Sequence, residues 1–247
     1  MSDVRFDTLV SAIFGLSREQ AKQSILEGKC RVDGQIKTKP GAKFSPKSDM
    51  KFCGEIIPYV SRGGIKLAHA LTIFGIDPSG LNCLDIGAST GGFTDCLLQS
   101  GAKSVIALDN GSGQLHPKLT TDSRVISLEN SNIRHIKPSD LPFLPEFITC
   151  DVSFISLALV IPTVSKLLAP SQSAVLLLKP QFECGPKAVN KQGVIKDHKE
   201  IDAAIRRTSE CLAANQMPVR GLAQSPICGQ NGNVEYLIYA EKVGDTF

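Results

Sequence analysis

Hydrophobic spacing changes character near residue 59. Before it, Phe6, Leu9, Val10, Ile13 and Phe14 recur three and four residues apart. That spacing puts them on one face of a helix, which Gly15 ends in the left-handed conformation. Ser17, with Gln20 three residues later, reads as the capping box of a second helix, buried through Ala21, Ile25 and Leu26 and stopped at Gly28. Short strands follow. Residues 30–32 enter a turn at Asp33-Gly34, residues 35–37 leave it, and residues 50–57 come after an interruption at Pro40-Gly41. Beyond the linker Ile57-Pro58-Tyr59, longer apolar strands alternate with helices. Strands are expected at 82–86, 104–108, 147–150, 174–178 and 234–239, and helices at 67–74, through Leu98, at 157–168 and at 198–215. This alternation implies an α/β fold with a doubly wound, mainly parallel sheet over residues 60–247, preceded by a small α+β domain over residues 1–59.

Composition suits such a fold. Hydrophobic residues make up 42% of the chain and Trp is absent, so an aliphatic core is expected. The longest apolar runs, such as 174–178, are far too short to span a bilayer, and the polar N-terminus carries no secretory signal; a cytoplasmic protein without membrane attachment is expected. The eight cysteines are scattered and form no CxxC pair, which implies reduced thiols, with neither disulfides nor a metal site. Net charge is +3, and its position is informative. Residues 1–59 hold ten Lys or Arg against seven Asp or Glu, and the remainder holds seventeen of each. A basic surplus confined to the first segment is expected where that segment meets a polyanion.

The N-terminal order of two helices and small strands, with basic residues between, resembles the S4-type RNA-binding module. The match runs through Ser17-Arg18, Ala21, Gly28, Val32-Asp33-Gly34 and Lys39-Pro40. It implies phosphate contacts from Arg5, Arg18, Lys22, Lys29, Arg31, Lys37 and Lys39, joined by Arg62 beyond the linker. Such contacts position a protein on RNA without reading its sequence. Solvated surface charge is the plain alternative.

The stretch from Leu84 to Thr94 carries the cofactor signal. An apolar strand runs into Gly87, Ala88, Ser89, Gly91, Gly92 and Phe93, and a helix follows. Small side chains let backbone approach a ligand, and a helix N-terminus offers free N–H groups. A dinucleotide site requires GxGxxG, but here Ser89 holds the middle position, where pyrophosphate presses on backbone. Asp85, at the strand end, repels phosphate and suits a cation. S-adenosylmethionine carries a sulfonium and an ammonium, and no phosphate. Asp109 ends the next strand, where a carboxylate accepts both ribose hydroxyls, and Asn130 is placed in the same cofactor set. The sheet is therefore expected to be Rossmann-like with a methyl donor bound, and NAD is the competing cofactor.

Lys66, Asp151, Lys179 and Glu235 are polar residues in apolar surroundings, and Asp151 and Lys179 fall at strand ends, where open α/β sheets bind ligands. Their order resembles the Lys-Asp-Lys-Glu tetrad of ribose 2′-O-methyltransferases. The resemblance makes Lys179 the base for a ribose hydroxyl, its neutral amine favoured by burial beside Lys66, with Asp151 and Glu235 orienting the amines. A surface pair and a helix cap are the plain reading of the same residues. Together with Val60 to Leu67, Asp85 to Leu97, Asp151-Val152-Ser153-Phe154, Lys179-Pro180-Gln181-Phe182-Glu183 and Gly232-Asn233-Val234-Glu235, the chain closely resembles the TlyA family, an S4 module joined to an FtsJ-like methyltransferase and historically called hemolysins. The family implies 2′-O-methylation of cytidine in 16S or 23S ribosomal RNA, or both, with ribosomal RNA or ribosomal subunits as partners. A non-catalytic RNA-binding assembly factor and, less well supported, a membrane-active hemolysin are the competing functions. No sequence signal sets an oligomeric state.

Overall fold

The computed structural model describes residues 3–16, 18–54, 57–185, 188–190 and 192–244. Ser17, the expected cap, lies outside the described residues. The chain divides into two compact units, residues 1–61 and 62–247.

The first unit comprises β1 (Val4–Arg5), α1 (Phe6–Phe14), α2 (Arg18–Leu26), β2 (Cys30–Val32), β3 (Gln35–Ile36), β4 (Lys43–Phe44) and β5 (Met50–Phe52). β1 pairs antiparallel with β4, a small ladder the sequence pattern does not reveal, and β2 lies between β3 and β5. The hairpin turns at Asp33-Gly34, both left-handed, as a two-residue turn between right-twisted strands requires. Phe6, Val10, Leu16, Ala21, Ile25, Cys30 and Val32 form the core, and the Phe6 ring meets Phe44 edge-on at 5.0 Å. Each fully buried side chain of this size contributes about 1.5–3 kcal/mol.

The second unit runs α3 (Gly63–Phe74), β6 (Asn82–Ile86), α4 (Gly92–Gln99), β7 (Ser104–Leu108), α5 (Pro117–Thr120), β8 (Val125–Leu128), β9 (Phe147–Cys150), α6 (Ile161–Leu167), β10 (Ser173–Leu178), α7 (Pro180–Glu183), α8 (His198–Ala214), β11 (Val219–Gln224) and β12 (Tyr236–Glu241). One sheet has the order β11-β12-β10-β9-β6-β7-β8; β8, β7, β6, β9 and β10 are parallel, and β12 is antiparallel to both neighbours. The mainly parallel α/β sheet read from the sequence is therefore present.

Some details of the second unit differ from the sequence reading. The expected helix over 157–168 is a short 3-10 turn, Leu157–Leu159, followed by α6; Pro162 sits in the first turn of α6, where its missing N–H costs nothing. The last strand starts at Tyr236, because Asn233 and Glu235 are buried polar residues occupied with side-chain bonds. The edge strands β8 and β11 were not anticipated, and neither contains a fully buried residue. Among the described residues no helix is long and apolar enough to cross a membrane.

Candidate active site

The chain runs outward from β6 through β7 to β8 and then crosses back to β9 on the other side of β6, so the carboxyl end of β6 is the topological switch point where open α/β sheets hold ligands. A cleft of about 750 Å³ opens there. Its wall takes Gly87 and Ser89 from the turn after β6, Asp109, Asn110 and Gln114 after β7, Ser131 to Arg134 after β8, and Asp151 to Ser156 after β9.

The first turn must be small. Gly87 has φ +80°, and a Cβ there would strike the carbonyl of Asp151. Gly91, at φ +93°, would drive a Cβ into the side chains of Leu119 and Leu115. Ser89 N–H donates to Asp109 Oδ2 at 2.7 Å and Gly111 N–H donates to Oδ1 at 2.7 Å, so Asp109 ties two cleft loops together while facing the cavity. Ser89 Oγ donates to Gln114 at 3.2 Å.

Asp85 sits elsewhere than its sequence role suggests. It is fully buried, is absent from the cleft wall, and accepts the hydroxyls of Thr94 at 2.7 Å and Thr149 at 3.0 Å. Burial pushes its carboxyl up to about 6, against the lowering effect of the two hydroxyls. Its bonds fasten β6 to α4 and β9. Ala88, Gly92 and Phe93 are also buried, beneath the turn. Asn130 is exposed at φ +53°, and the wall is built by the residues that follow it.

The four tetrad candidates form two ion pairs. Lys66 Nζ lies 2.5 Å from Glu235 Oε2, with both residues buried. Lys179 Nζ lies 2.6 Å from Asp151 Oδ1 and donates to Ser153 Oγ at 2.8 Å. Strand register explains the placement. Leu178 pairs with Tyr236, so the next step outward sets Lys179 beside Glu235. Ile86 pairs with Cys150, so Asp151 follows next to Gly87. Each lysine thus has its own carboxylate, Glu235 for Lys66 and Asp151 for Lys179.

Sequence reasoning gave no roles to Ser153, Phe154 or Glu183, although all three stand in quoted stretches. Phe154 is 86% exposed and adopts φ +63°, a rare conformation for a bulky residue. Its ring contacts Phe182 at 5.0 Å beside the cleft. Glu183 accepts from Ser156 Oγ at 2.6 Å and from the Leu157 N–H at 2.8 Å, pinning the loop after β9.

In the first unit the basic candidates are at or near the surface, several with local partners. Arg5 binds both oxygens of the buried Asp7 at 3.0 and 2.8 Å, and Arg18 approaches Asp7 at 3.5 Å. The Arg5 hydrogen bonds, more than its charge, hold the Asp7 carboxyl at about 2. Lys29 pairs with Glu27 at 2.5 Å, Lys37 donates to Gln35 at 2.8 Å, and Arg31 makes a long contact of 3.5 Å to the Gly34 carbonyl. Lys22 and Lys39 are exposed. Arg62, in the second unit, donates to the Cys228 carbonyl at 2.8 Å. All eight cysteines are free thiols, and no cluster among the described residues fits a metal ion.

Comparison with known proteins identifies two families in the chain. The FtsJ-like methyltransferase family matches residues 59–242 and the S4 domain family matches residues 4–49. The 16S/23S rRNA (cytidine-2′-O)-methyltransferase TlyA of Mycobacterium tuberculosis is 40% identical over 228 residues, covering 90% of this chain and 84% of its own length. Hemolysin A of Brachyspira hyodysenteriae is 41% identical over 230 residues, covering 90% and 93%. A hemolysin-named protein of known structure from Streptococcus thermophilus superposes with a TM-score of 0.79 at 40% identity, over 98% of this chain and 90% of the other. The chain belongs to the TlyA family, in which an S4 domain precedes an FtsJ-like methyltransferase domain.

Proposed function

We propose that this protein moves a methyl group from S-adenosylmethionine to the ribose 2′-oxygen of a cytidine in 16S or 23S ribosomal RNA, or both, with Lys179 taking the hydroxyl proton. One observation carries this reading most of the way: a buried lysine, ion-paired to Asp151, stands behind the wall of the cleft that the glycine-rich turn opens.

The cleft's residues fit the donor. Its size falls within the roughly 300–1,000 Å³ typical of small-ligand sites. Each Asp109 oxygen accepts one backbone N–H and keeps a further lone pair, enough for two ribose hydroxyls. Ile155 and the edge of Ile133 offer apolar surface to an adenine ring. Bound there, S-adenosylmethionine supplies an electrophilic methyl group on a positively charged sulfur. Asp85 serves this site indirectly, through Thr94 and Thr149, by fixing the turn.

The protein's own part is alignment and proton removal. A sulfonium is a good leaving group, so holding the acceptor oxygen in line supplies much of the acceleration. A ribose hydroxyl is a weak acid, and Lys179, after giving up to solvent the proton it carries in the ion pair with Asp151, removes the hydroxyl proton as the bond to carbon forms. Asp151 balances the ammonium so produced, while the Lys66–Glu235 pair fixes the neighbouring wall. Phe154 presents a largely exposed ring on which an unstacked base can lie. Residues 1–59 hold the RNA through phosphates, residues 60–247 perform the chemistry, and the protein works in the cytoplasm with its ribosomal substrate.

Methyl transfer from labelled donor to isolated 30S and 50S subunits, followed by mapping of the product, tests the reading. Label on a cytidine 2′-oxygen is expected. Label on a base atom, or none on either subunit, would overturn it.

A further inference from the structure

Lys179 Nζ has two acceptors within reach, and they are not equivalent. Ser153 Oγ accepts an aligned hydrogen bond at 2.8 Å. Asp151 Oδ1 is nearer, at 2.6 Å, yet among the described residues it receives no aligned hydrogen bond. Charge and direction are thus divided between two residues: the carboxylate neutralises the amine, and the serine hydroxyl orients it.

We propose that Ser153 is a positioning residue for methyl transfer, fixing the rotation of the Lys179 amine so that its lone pair faces the acceptor hydroxyl. This rests on Lys179 being the base. A lysine amine turns freely about its last carbon–nitrogen bond unless a partner holds it. Neutral, it has two hydrogens and one lone pair. A hydrogen given to Ser153 fills one of the three staggered directions, and the pull of Asp151 draws the second hydrogen toward the carboxylate. The lone pair takes the direction that remains.

In the transfer step the ribose O–H bond breaks and its proton goes to Lys179 Nζ. The oxygen's electron pair forms the new bond to the methyl carbon, and the electrons of the old carbon–sulfur bond stay with sulfur. Lys179 finishes as an ammonium that still donates to Ser153 and faces Asp151.

The loop carrying Ser153 is built to hold it in place. Phe154, the next residue, is fixed at φ +63°. Glu183 clamps Ser156 and Leu157 from α7, the helix that begins immediately after Lys179. The base and the hydroxyl that aims it are therefore joined through one short stretch of chain. Ser153 is itself exposed in the cleft wall, so replacing it disturbs little packing.

Steady-state methyl transfer to isolated ribosomal subunits over a range of pH, with the full chain, tests this. Ser153→Ala should lower kcat roughly tenfold, the worth of one aligned hydrogen bond. KM for the subunit, the calorimetric Kd for S-adenosylmethionine and the melting temperature should stay unchanged. The deficit should persist on the alkaline plateau, because aim and not protonation has been lost, and Ser153→Thr should restore most of the rate. Wild-type kcat in Ser153→Ala, a deficit that disappears at high pH, or a Thr variant as slow as Ala would each overturn the proposal. Lys179→Ala separates the two layers of the argument. Full turnover in that variant removes the base assignment, whereas an inactive Lys179→Ala beside an unimpaired Ser153→Ala removes only the role of Ser153.

Discussion

At the scale of single residues, burial and hydrogen bonding set the chemistry more than residue identity does. Asp85 illustrates this. The sequence shows a carboxylate at the end of a strand, but its neighbours turn it inward to Thr94 and Thr149, and burial raises its carboxyl to about 6. A folded value above the unfolded one means that the native state binds the proton more tightly. The stability that protonated Asp85 contributes is full below about pH 4 and is lost as pH rises through about 6. Asp85→Asn should therefore flatten the stability profile across that window, measured as denaturation midpoints at several pH values; a variant that keeps the wild-type slope would assign the slope to another group. Phe154 shows the opposite case, an apolar side chain left in solvent. Phe154→Ala should reduce kcat/KM on ribosomal subunits by roughly ten- to a hundredfold, the worth of one base–aromatic stack, with Phe154→Tyr near wild type. Melting temperature should barely move, since the ring buries little. The sequence names this phenylalanine but gives no sign of its exposure, because exposure depends on the left-handed turn that lifts it out of the loop.

At the scale of elements, the strands at 82–86, 104–108 and 147–150 are legible to the residue in the sequence, because a parallel strand covered on both faces is a mostly apolar run. The edge strand β11 lacks that signature, since it is only half covered and contains Gly221, while β8 is a short apolar run, Val125, Ile126 and Leu128, that is also only half covered. The turn after β6 was legible too, through its glycines. Its reason was not, since the atom that forbids a side chain at Gly87 belongs to Asp151, far along the sequence. Gly87→Ala should weaken S-adenosylmethionine binding at least about tenfold and also slow turnover, because the added Cβ strains the left-handed backbone and pushes against the Asp151 carbonyl. Calorimetry and single-turnover rates check this, and unchanged donor affinity would mean that the turn tolerates the methyl group.

At the scale of the whole molecule, two compact units carry different physics: the first has small strands and a basic surplus, the second a large apolar sheet. Replacing Lys22, Arg31 and Lys39 together by Ala should weaken binding of ribosomal RNA. It should also reduce the slope of log K against log salt by about two, each lost phosphate contact contributing roughly 0.7, while donor affinity stays constant. A slope unchanged from wild type would place the RNA contacts elsewhere. Sequence alone determined the two-part organisation, most strands and helices, and the residue types of the site, because hydrophobic period and turn chemistry are local properties. Tertiary structure alone decided which lysine meets which carboxylate, that Asp85 faces inward, and that Ser153 receives the hydrogen bond of Lys179. Those facts arise from strand register across distant segments. A one-residue change in the pairing of β10 with β12 would reverse which side chains face the cleft, and nothing in the local sequence records that register.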